Sequence, residues 1–157
     1  MKREIVSIYV DNKANVLSRV VSLYGRRGFN IDSLTVSATN DPEISRITIV
    51  FEGDQLSLHQ IMAQTEKLEV VRDITALDVK KSFFRELLMV KVKADKEIRS
   101  EIKEIVDIYR AKIIDLTKET MVLELTGDPS KLNAFMEMLS DYEIVDICRT
   151  GITGIEK

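Results

Sequence analysis

An α+β fold made of two βαββαβ halves in tandem is predicted for this chain, and three observations predict it. Short β-rich runs alternate with amphipathic helical runs in the order strand, helix, strand, strand, helix, strand. That order starts again after about residue 80. Gly53-Asp54 also recurs as Gly127-Asp128, an offset of 74 (127 less 53), at which Leu58 meets Leu132, Met62 meets Met136, Glu69 meets Glu143 and Val71 meets Val145.

In the first half, residues 4–10 (EIVSIYV) form a β-rich apolar run with at least one buried face. Asp11 and Asn12 then offer N-capping chemistry. Val16, Leu17, Val20, Val21, Leu23 and Tyr24 recur at helical spacing as one apolar stripe. Gly25 and Gly28 are expected to end that helix, with Arg26 and Arg27 suited to its negative end. Residues 31–38 read as a strand, Asn40-Asp41-Pro42 as a turn and 44–52 as the returning arm of a hairpin. Leu58, Ile61, Met62 and Leu68 mark a helix after Asp54, and 70–79 a fourth strand.

The second half repeats this with a strand at 84–93 and a helix carrying Ile98, Ile102, Ile105, Val106 and Tyr109. A hairpin at 112–116 and 120–126 follows, then a helix with Leu132, Phe135, Met136 and Leu139 and a last strand at 144–152. Two domains are therefore expected, 1–79 and 80–157, joined near Lys80-Lys81-Ser82. Each is marginal in size, so packing together or dimerisation is expected to add burial.

Of 157 residues, 45% are hydrophobic and 31% charged, the profile of a folded intracellular protein. A net charge of −3 disfavours strong binding to nucleic acid or anionic membrane. No apolar run nears membrane-spanning length and the N-terminus turns polar at Asp11, so a cytoplasmic location is expected. One cysteine, Cys148, rules out an internal disulfide and a cysteine zinc site; inside a strand it reads as a small buried hydrophobe. The single histidine, His59, lacks triad or metal partners, and a surface or packing role is favoured. Gly25 and Gly28 follow a helix instead of opening one and so make no phosphate loop. Tyr9 and Phe51 alone are too few aromatics for an RNA-reading sheet. No metal site and no set of catalytic residues emerges.

The turn at residues 11–16 carries more promise. A helix beginning near Ala14 points unpaired N–H groups and a positive dipole end at the turn, where a carboxylate fits. Asn12 can offer its amide oxygen to an ammonium group, and Val16 or Leu17 can line an aliphatic slot. Together these describe a site for an α-amino acid. The alternative is that Asn12 only caps the helix.

The stretches DNKANVLSRVVSLYGRRGFNIDSLTV and DPEISRITIVFEGD, with RELLMVKVKA, YRAKIIDLTKE and VDICRTGITGI further on, closely resemble the regulatory (small) subunit of acetolactate synthase, also called acetohydroxyacid synthase. The resemblance spans nearly the whole chain. It implies two ferredoxin-like domains: an ACT domain at 1–79 for effector binding and dimerisation, and a related domain at 80–157 that engages the catalytic subunit. It also implies that the chain has no cofactor and no catalytic residue of its own. Its implied partner is the large catalytic subunit, where thiamine diphosphate, Mg2+ and FAD are expected. The small subunit would raise that enzyme's activity and confer feedback inhibition by a branched-chain amino acid, valine first among them. The effector would lie between two ACT domains of a homodimer. One chain would supply Asn12, Ala14, Asn15, Val16 and Leu17, and the other Asn30 and Ile31. Strand 31–38 would pair with its symmetry mate and so lose an exposed edge.

The sequence departs from the family where the turn usually reads N-x-x-G-[VA]-L, since Asn15 stands in place of the glycine. Asparagine tolerates left-handed geometry better than most residues, so the turn is expected to persist. Its side chain either fills room the ligand needs or supplies a substitute hydrogen bond. Activation of a partner is expected whatever Asn15 does, whereas strong valine sensitivity depends on it. Three other readings stay open: an activator without valine sensitivity, a stand-alone amino-acid sensor, and an enzyme built from Asp and Glu side chains on the split βαβ fold.

Overall fold

The computed structural model describes residues 2–157. In chain order these form β1 (Lys2–Asp11), α1 (Val16–Arg26), β2 (Ile31–Ala38), β3 (Ile44–Gly53), α2 (Gln55–Glu66) and β4 (Val71–Ala76). Then come β5 (Ser82–Lys93), α3 (Arg99–Tyr109), β6 (Lys112–Leu116), β7 (Thr120–Gly127), α4 (Pro129–Met138), β8 (Ile144–Arg149) and β9 (Thr153–Glu156). The first sheet runs β2-β3-β1-β4 and the second β6-β7-β5-β8, with β9 pairing to β5 off that path. Along both paths every pairing is antiparallel, so the predicted α+β class and the repeated βαββαβ order hold.

Two compact units result: the described residues up to Phe83 together with Ile152–Lys157, and Phe84–Gly151. The break falls at Phe83/Phe84 instead of 79/80, and the last six residues belong with the first unit. The cause is local. Strand β4 stops at Ala76, short of the expected residue 79, because Asp78 folds a turn, its Oδ1 accepting from Lys80 N at 2.7 Å and its carbonyl from Lys81 N at 3.0 Å. At the other end Gly151, at φ +86°, breaks the strand expected to reach 152. Thr35 Oγ1 donates to Ile152 O at 3.2 Å, and Lys157 N to Lys81 O at 2.9 Å.

In the first unit, alternation puts Val6, Ile8 and Val10 of β1 and Ile47, Ile49 and Phe51 of β3 on one face of the sheet. Val16, Val20, Leu23 and Tyr24 of α1 and Leu58 and Ile61 of α2 close over them. Three aromatic rings lock this core edge-to-face: Phe51 lies 5.6 Å from Tyr24 and 5.2 Å from Phe29 between centroids. Helix α1 runs through Gly25 and ends at Arg26; Gly28, at φ +77°, makes the left-handed reversal, with Phe29 N donating to Tyr24 O at 3.0 Å.

Among the described residues the Tyr24 hydroxyl is buried without a hydrogen-bond partner, because the neighbouring Thr65 hydroxyl is directed at Ile61 O, 2.6 Å away. Burial pushes this phenol up to about 12, Thr65 offsetting only a little. A folded-state value above the unfolded one near 10 means that the folded chain holds its proton longer. Stability is therefore complete below pH 10 and falls as pH rises toward 12, by about 2–3 kcal/mol in all. Tyr24→Phe is expected to remove that alkaline slope and to be neutral or stabilising by about 1 kcal/mol at pH 7, since an unsatisfied hydroxyl is lost. Urea midpoints measured from pH 7 to 11 check both; an unchanged slope would refute the assignment.

The second unit repeats the pattern in detail. Leu88, Val90 and Val92 of β5 pack with Ile102, Ile105 and Val106 of α3 and Leu132 and Phe135 of α4. Asp11 N donates to Val70 O and Lys93 N to Glu143 O, both at 2.9 Å; Asn12 N donates to Glu43 O and Ala94 N to Glu119 O, both at 2.8 Å. Each first strand meets its last with a register shift at the same point, between Tyr9 and Val10 and between Lys91 and Val92. Helices α2 and α4 are both capped by aspartate, Asp54 accepting from Ser57 N at 2.7 Å and Asp128 from Lys131 N at 2.9 Å. For Asp54 the Ser57 amide, and for Asp128 the Ser130 hydroxyl followed by the Lys131 amide, hold the carboxyl below its usual range. Cys148, expected to be buried, is exposed. Its register partner is Met89, and the edge strand β8 is exposed at both parities from Val145 to Arg149.

Candidate functional site

The turn from Asp11 to Asn15 is anchored at both flanks and open in the middle. Asp11 Oδ1 receives Arg72 Nε at 2.6 Å, tying the end of β1 to β4. Asn12 donates twice to the β2–β3 turn, from its backbone N to Glu43 O at 2.8 Å and from Nδ2 to Pro42 O at 2.9 Å. Its Oδ1 is thereby left as an acceptor. Asn12 does not cap the helix; the N-cap is Asn15, three residues on, and its side chain makes no capping hydrogen bond. Asn15 sits at φ +67°, ψ 0°, the left-handed conformation expected of an asparagine where glycine is usual.

The first hydrogen bond of α1 is Arg19 N to Asn15 O at 3.1 Å. No side chain covers the N–H groups ahead of it, so this end keeps its donors and the positive end of the helix dipole. At α3 the N-cap Ile98 likewise makes no side-chain capping bond, but just ahead of the helix Asp95 Oδ1 accepts from Glu97 N and Ile98 N, at 2.9 and 3.2 Å. Ala14 is exposed beside the open end. Val16 is packed in the core, whereas Leu17 is 37% exposed beside the turn.

Asn30 and Ile31 stand elsewhere. Ile31 pairs with Phe51 near the end of β3, whereas Asp11 pairs with Ile44 at its start. Seven residues of strand separate the two places by roughly 23 Å at about 3.3 Å each. Within one chain the two groups of predicted residues are not brought together. Asn30 Nδ2 reaches only Asp32 Oδ1, at 3.4 Å, and Asp32 also receives Arg3 Nε at 3.2 Å. The Pro42 and Glu43 carbonyls that fix Asn12 were missed from sequence: the Asn40-Asp41-Pro42 turn is legible there, but its docking on residue 12, 30 positions away, is not.

A groove of about 750 Å³ lies in the second unit at the equivalent sheet end, its lining including Lys93, Asp95, Glu101, Glu119, Tyr142 and Glu143. Its polar groups already engage one another, Lys93 with Glu143 at 2.8 Å and the Tyr142 hydroxyl with Glu101 at 3.0 Å. The Glu143 carboxylate raises the Lys93 ammonium, and partial burial followed by Glu101 raises the Tyr142 phenol. These are solvated pairs, and the chemistry of a ligand site is better represented at the uncapped α1 turn.

Residues 6–73 match the family described as AHAS small subunit-like ACT domain, and residues 85–157 that described as small subunit of acetolactate synthase. The probable acetolactate synthase small subunit of Archaeoglobus fulgidus is 40% identical over 95% of this chain and 93% of its own length. The chain belongs to the acetolactate synthase small-subunit family. The small subunit of Mycolicibacterium smegmatis is 41% identical over 97% of this chain and 89% of its own, and the isozyme 3 small subunit of Escherichia coli 38% over 99% and 96%. The crystal structure of the small subunit from Thermotoga maritima matches with a TM-score of 0.92 at 38% identity, covering 100% of this chain and 98% of that one. The ACT-domain, tandem ferredoxin-like fold expected from the family resemblance is therefore present. Like its relatives the chain is a small subunit with a regulatory role, not the catalytic one. None of its helices is long and apolar enough to cross a membrane, among the described residues.

Proposed function

We propose that this small subunit binds the large, thiamine-diphosphate-dependent subunit of acetolactate synthase, raises its activity and transmits feedback inhibition by a branched-chain amino acid, valine first. The observation that carries the effector half of this reading is the uncapped, positively polarised start of α1, held open by the left-handed Asn15. A ligand carboxylate suits the free N–H groups, the Asn12 Oδ1 suits its ammonium, and Leu17 offers apolar surface to the side chain.

The distance of Asn30 from this turn favours a homodimer as the unit that binds. Strand β2 is at an edge of its sheet, with β3 on one side and no strand on the other among the described residues. Antiparallel pairing of β2 with β2 of a second copy sets Asn30 and Ile31 of that copy beside Ala38. Ala38 pairs with Ser45 at the sheet end that carries the Asp11–Asn15 turn. Each site then takes the turn from one copy and Asn30 with Ile31 from the other. Effector binding stiffens the dimer, and inhibition follows if the effector prefers one arrangement of the complex over another.

The test is acetolactate formation by the catalytic subunit alone, with this protein, and with valine added. Activation that valine reverses is expected; no activation would refute the reading. Melts of the chain in amino acid at about 100 times its dissociation constant should show about 2.7 kcal/mol of stabilisation. Asn15→Gly is expected to keep the turn, with stability changed by less than about 1 kcal/mol, and to sharpen the response to valine. Asn15→Val forces a β-branched residue into the left-handed region and is expected to cost about 1–3 kcal/mol and the response with it. Equal valine responses in wild type, Asn15→Gly and Asn15→Val would place the effector elsewhere.

A further inference from the structure

Each unit buries one glutamate at the same place in its fold. Glu4 stands two residues before Val6 on β1, and Glu86 two residues before Leu88 on β5; they are 8% and 6% exposed. In the second unit the carboxylate is answered: Arg149 Nη2 lies 2.6 Å from Glu86 Oε2, and Arg149 Nη1 donates to Asn133 Oδ1 at 2.9 Å. Arg149 is the residue across the sheet from Leu88, and the residue across from Val6 is Ala76. With alanine there, Glu4 Oε1 is buried without a hydrogen-bond partner among the described residues. A groove of about 720 Å³ opens beside it, lined by Glu4, Gln55, Leu58, Ala76 and Val79 among others.

Among its described residues the first unit lacks the cation that the second unit sets on its buried glutamate. A carboxylate removed from water requires a cation or donors, and the second unit meets that requirement with a guanidinium reaching across the last strand. Lys2, Arg3 and Lys80 line the groove but form no ion pair with Glu4 among the described residues; Arg3 Nε is engaged by Asp32 at 3.2 Å. Gln55 can serve the second edge of a planar fork, as Asn133 does for Arg149. Apolar Leu58, Ala76 and Val79 share the lining with charged Lys2, Asp78 and Lys80, and Val79 is 63% exposed. A desolvated acceptor with apolar surface beside it suits an arginine, whose stem packs while its guanidinium pairs with the carboxylate. We propose that the Glu4 groove seats an arginine side chain of a partner polypeptide, its guanidinium on the Glu4 carboxylate and its stem along Leu58 and Ala76. That the partner is the catalytic subunit rests on the function proposed above.

Methylguanidinium titrated into the intact chain, followed by NMR, is expected to give saturable shifts at Glu4, Gln55, Leu58 and Ala76. Methylammonium should act at least ten-fold more weakly, and Glu4→Gln should abolish the response. Ala76→Arg rebuilds the Arg149 arrangement within the chain and should raise Tm while removing the methylguanidinium response; if that variant fails to fold, Glu4→Gln still decides. With the catalytic subunit, Glu4→Gln is expected to weaken association at least ten-fold. No saturable shift, or one that survives Glu4→Gln, overturns the proposal. A methylguanidinium site whose loss leaves association unchanged overturns it too, in favour of a free guanidinium compound as the ligand. Failure of the wild-type chain to activate the catalytic subunit would count against the functional reading while leaving the methylguanidinium result to stand.

Discussion

Phe51→Ala should cost the first unit about 3–5 kcal/mol, the largest loss expected of a single change here. The ring is fully buried on β3, a central strand, and touches Tyr24 and Phe29 edge-to-face. Its removal strips two aromatic contacts at once and leaves only the looser Tyr24–Phe29 pair, at 6.5 Å. Small domains hold only about 5–15 kcal/mol in total, so the variant is expected to lose most of its first-unit stability and, with α1 no longer seated, any valine response. Phe51→Leu should cost about half as much. Urea unfolding followed by near-ultraviolet circular dichroism reports this directly; a loss below 1 kcal/mol for alanine would mean that the aromatic trio is not the core.

Arg149→Ala is the second large effect, expected at about 2–4 kcal/mol. Glu86 is 6% exposed, and loss of the guanidinium would leave its carboxylate buried and unpaired. The figure is set below that of a fully enclosed pair because the Arg149 side chain keeps 31% of its surface in water. Adding Glu86→Gln to Arg149→Ala should recover more than half of the loss, the mark of an unanswered charge as opposed to lost packing. By comparison Lys103–Asp107, one turn apart on α3 with both side chains 65% exposed, should contribute no more than about 0.5 kcal/mol. A cost for Arg149→Ala no greater than that of Lys103→Ala would show the Glu86 pair to be solvated, and would weaken the parallel drawn with Glu4.

Local physics was legible in the sequence and distant partnership was not. The stripe Val16, Val20, Leu23, Tyr24 and the alternation Ile47, Ile49, Phe51 identify the core faces because side-chain period follows from backbone geometry. The left-handed Asn15 could be read because one backbone conformation is shared by glycine and asparagine far more than by other residues. Asn12 was misplaced as a possible cap, since its partner is a carbonyl 30 positions on. Val16 was given to the site because helical spacing marks an apolar residue without saying which way the helix is rolled. Strand β9 went unseen, as four residues after a glycine carry little periodicity and depend on partners across the chain. Glu4 was passed over, although Arg3-Glu4-Ile5 and Arg85-Glu86-Leu87 repeat at an offset of 82 (86 less 4). Only register shows that Ala76 stands where the other half has arginine.

The return of Ile152–Lys157 to the first unit fixes the order in which this protein can be completed on the ribosome. Residues 84–151 must be translated before β2 can receive the Thr35-to-Ile152 bond, a wait of several seconds at about 5–20 residues per second. During that interval the first unit is unfinished while the chain between is free to fold. A nascent chain halted after residue 83 should be more open to protease than the released protein, and supplying residues 152–157 as a peptide should restore part of the protection.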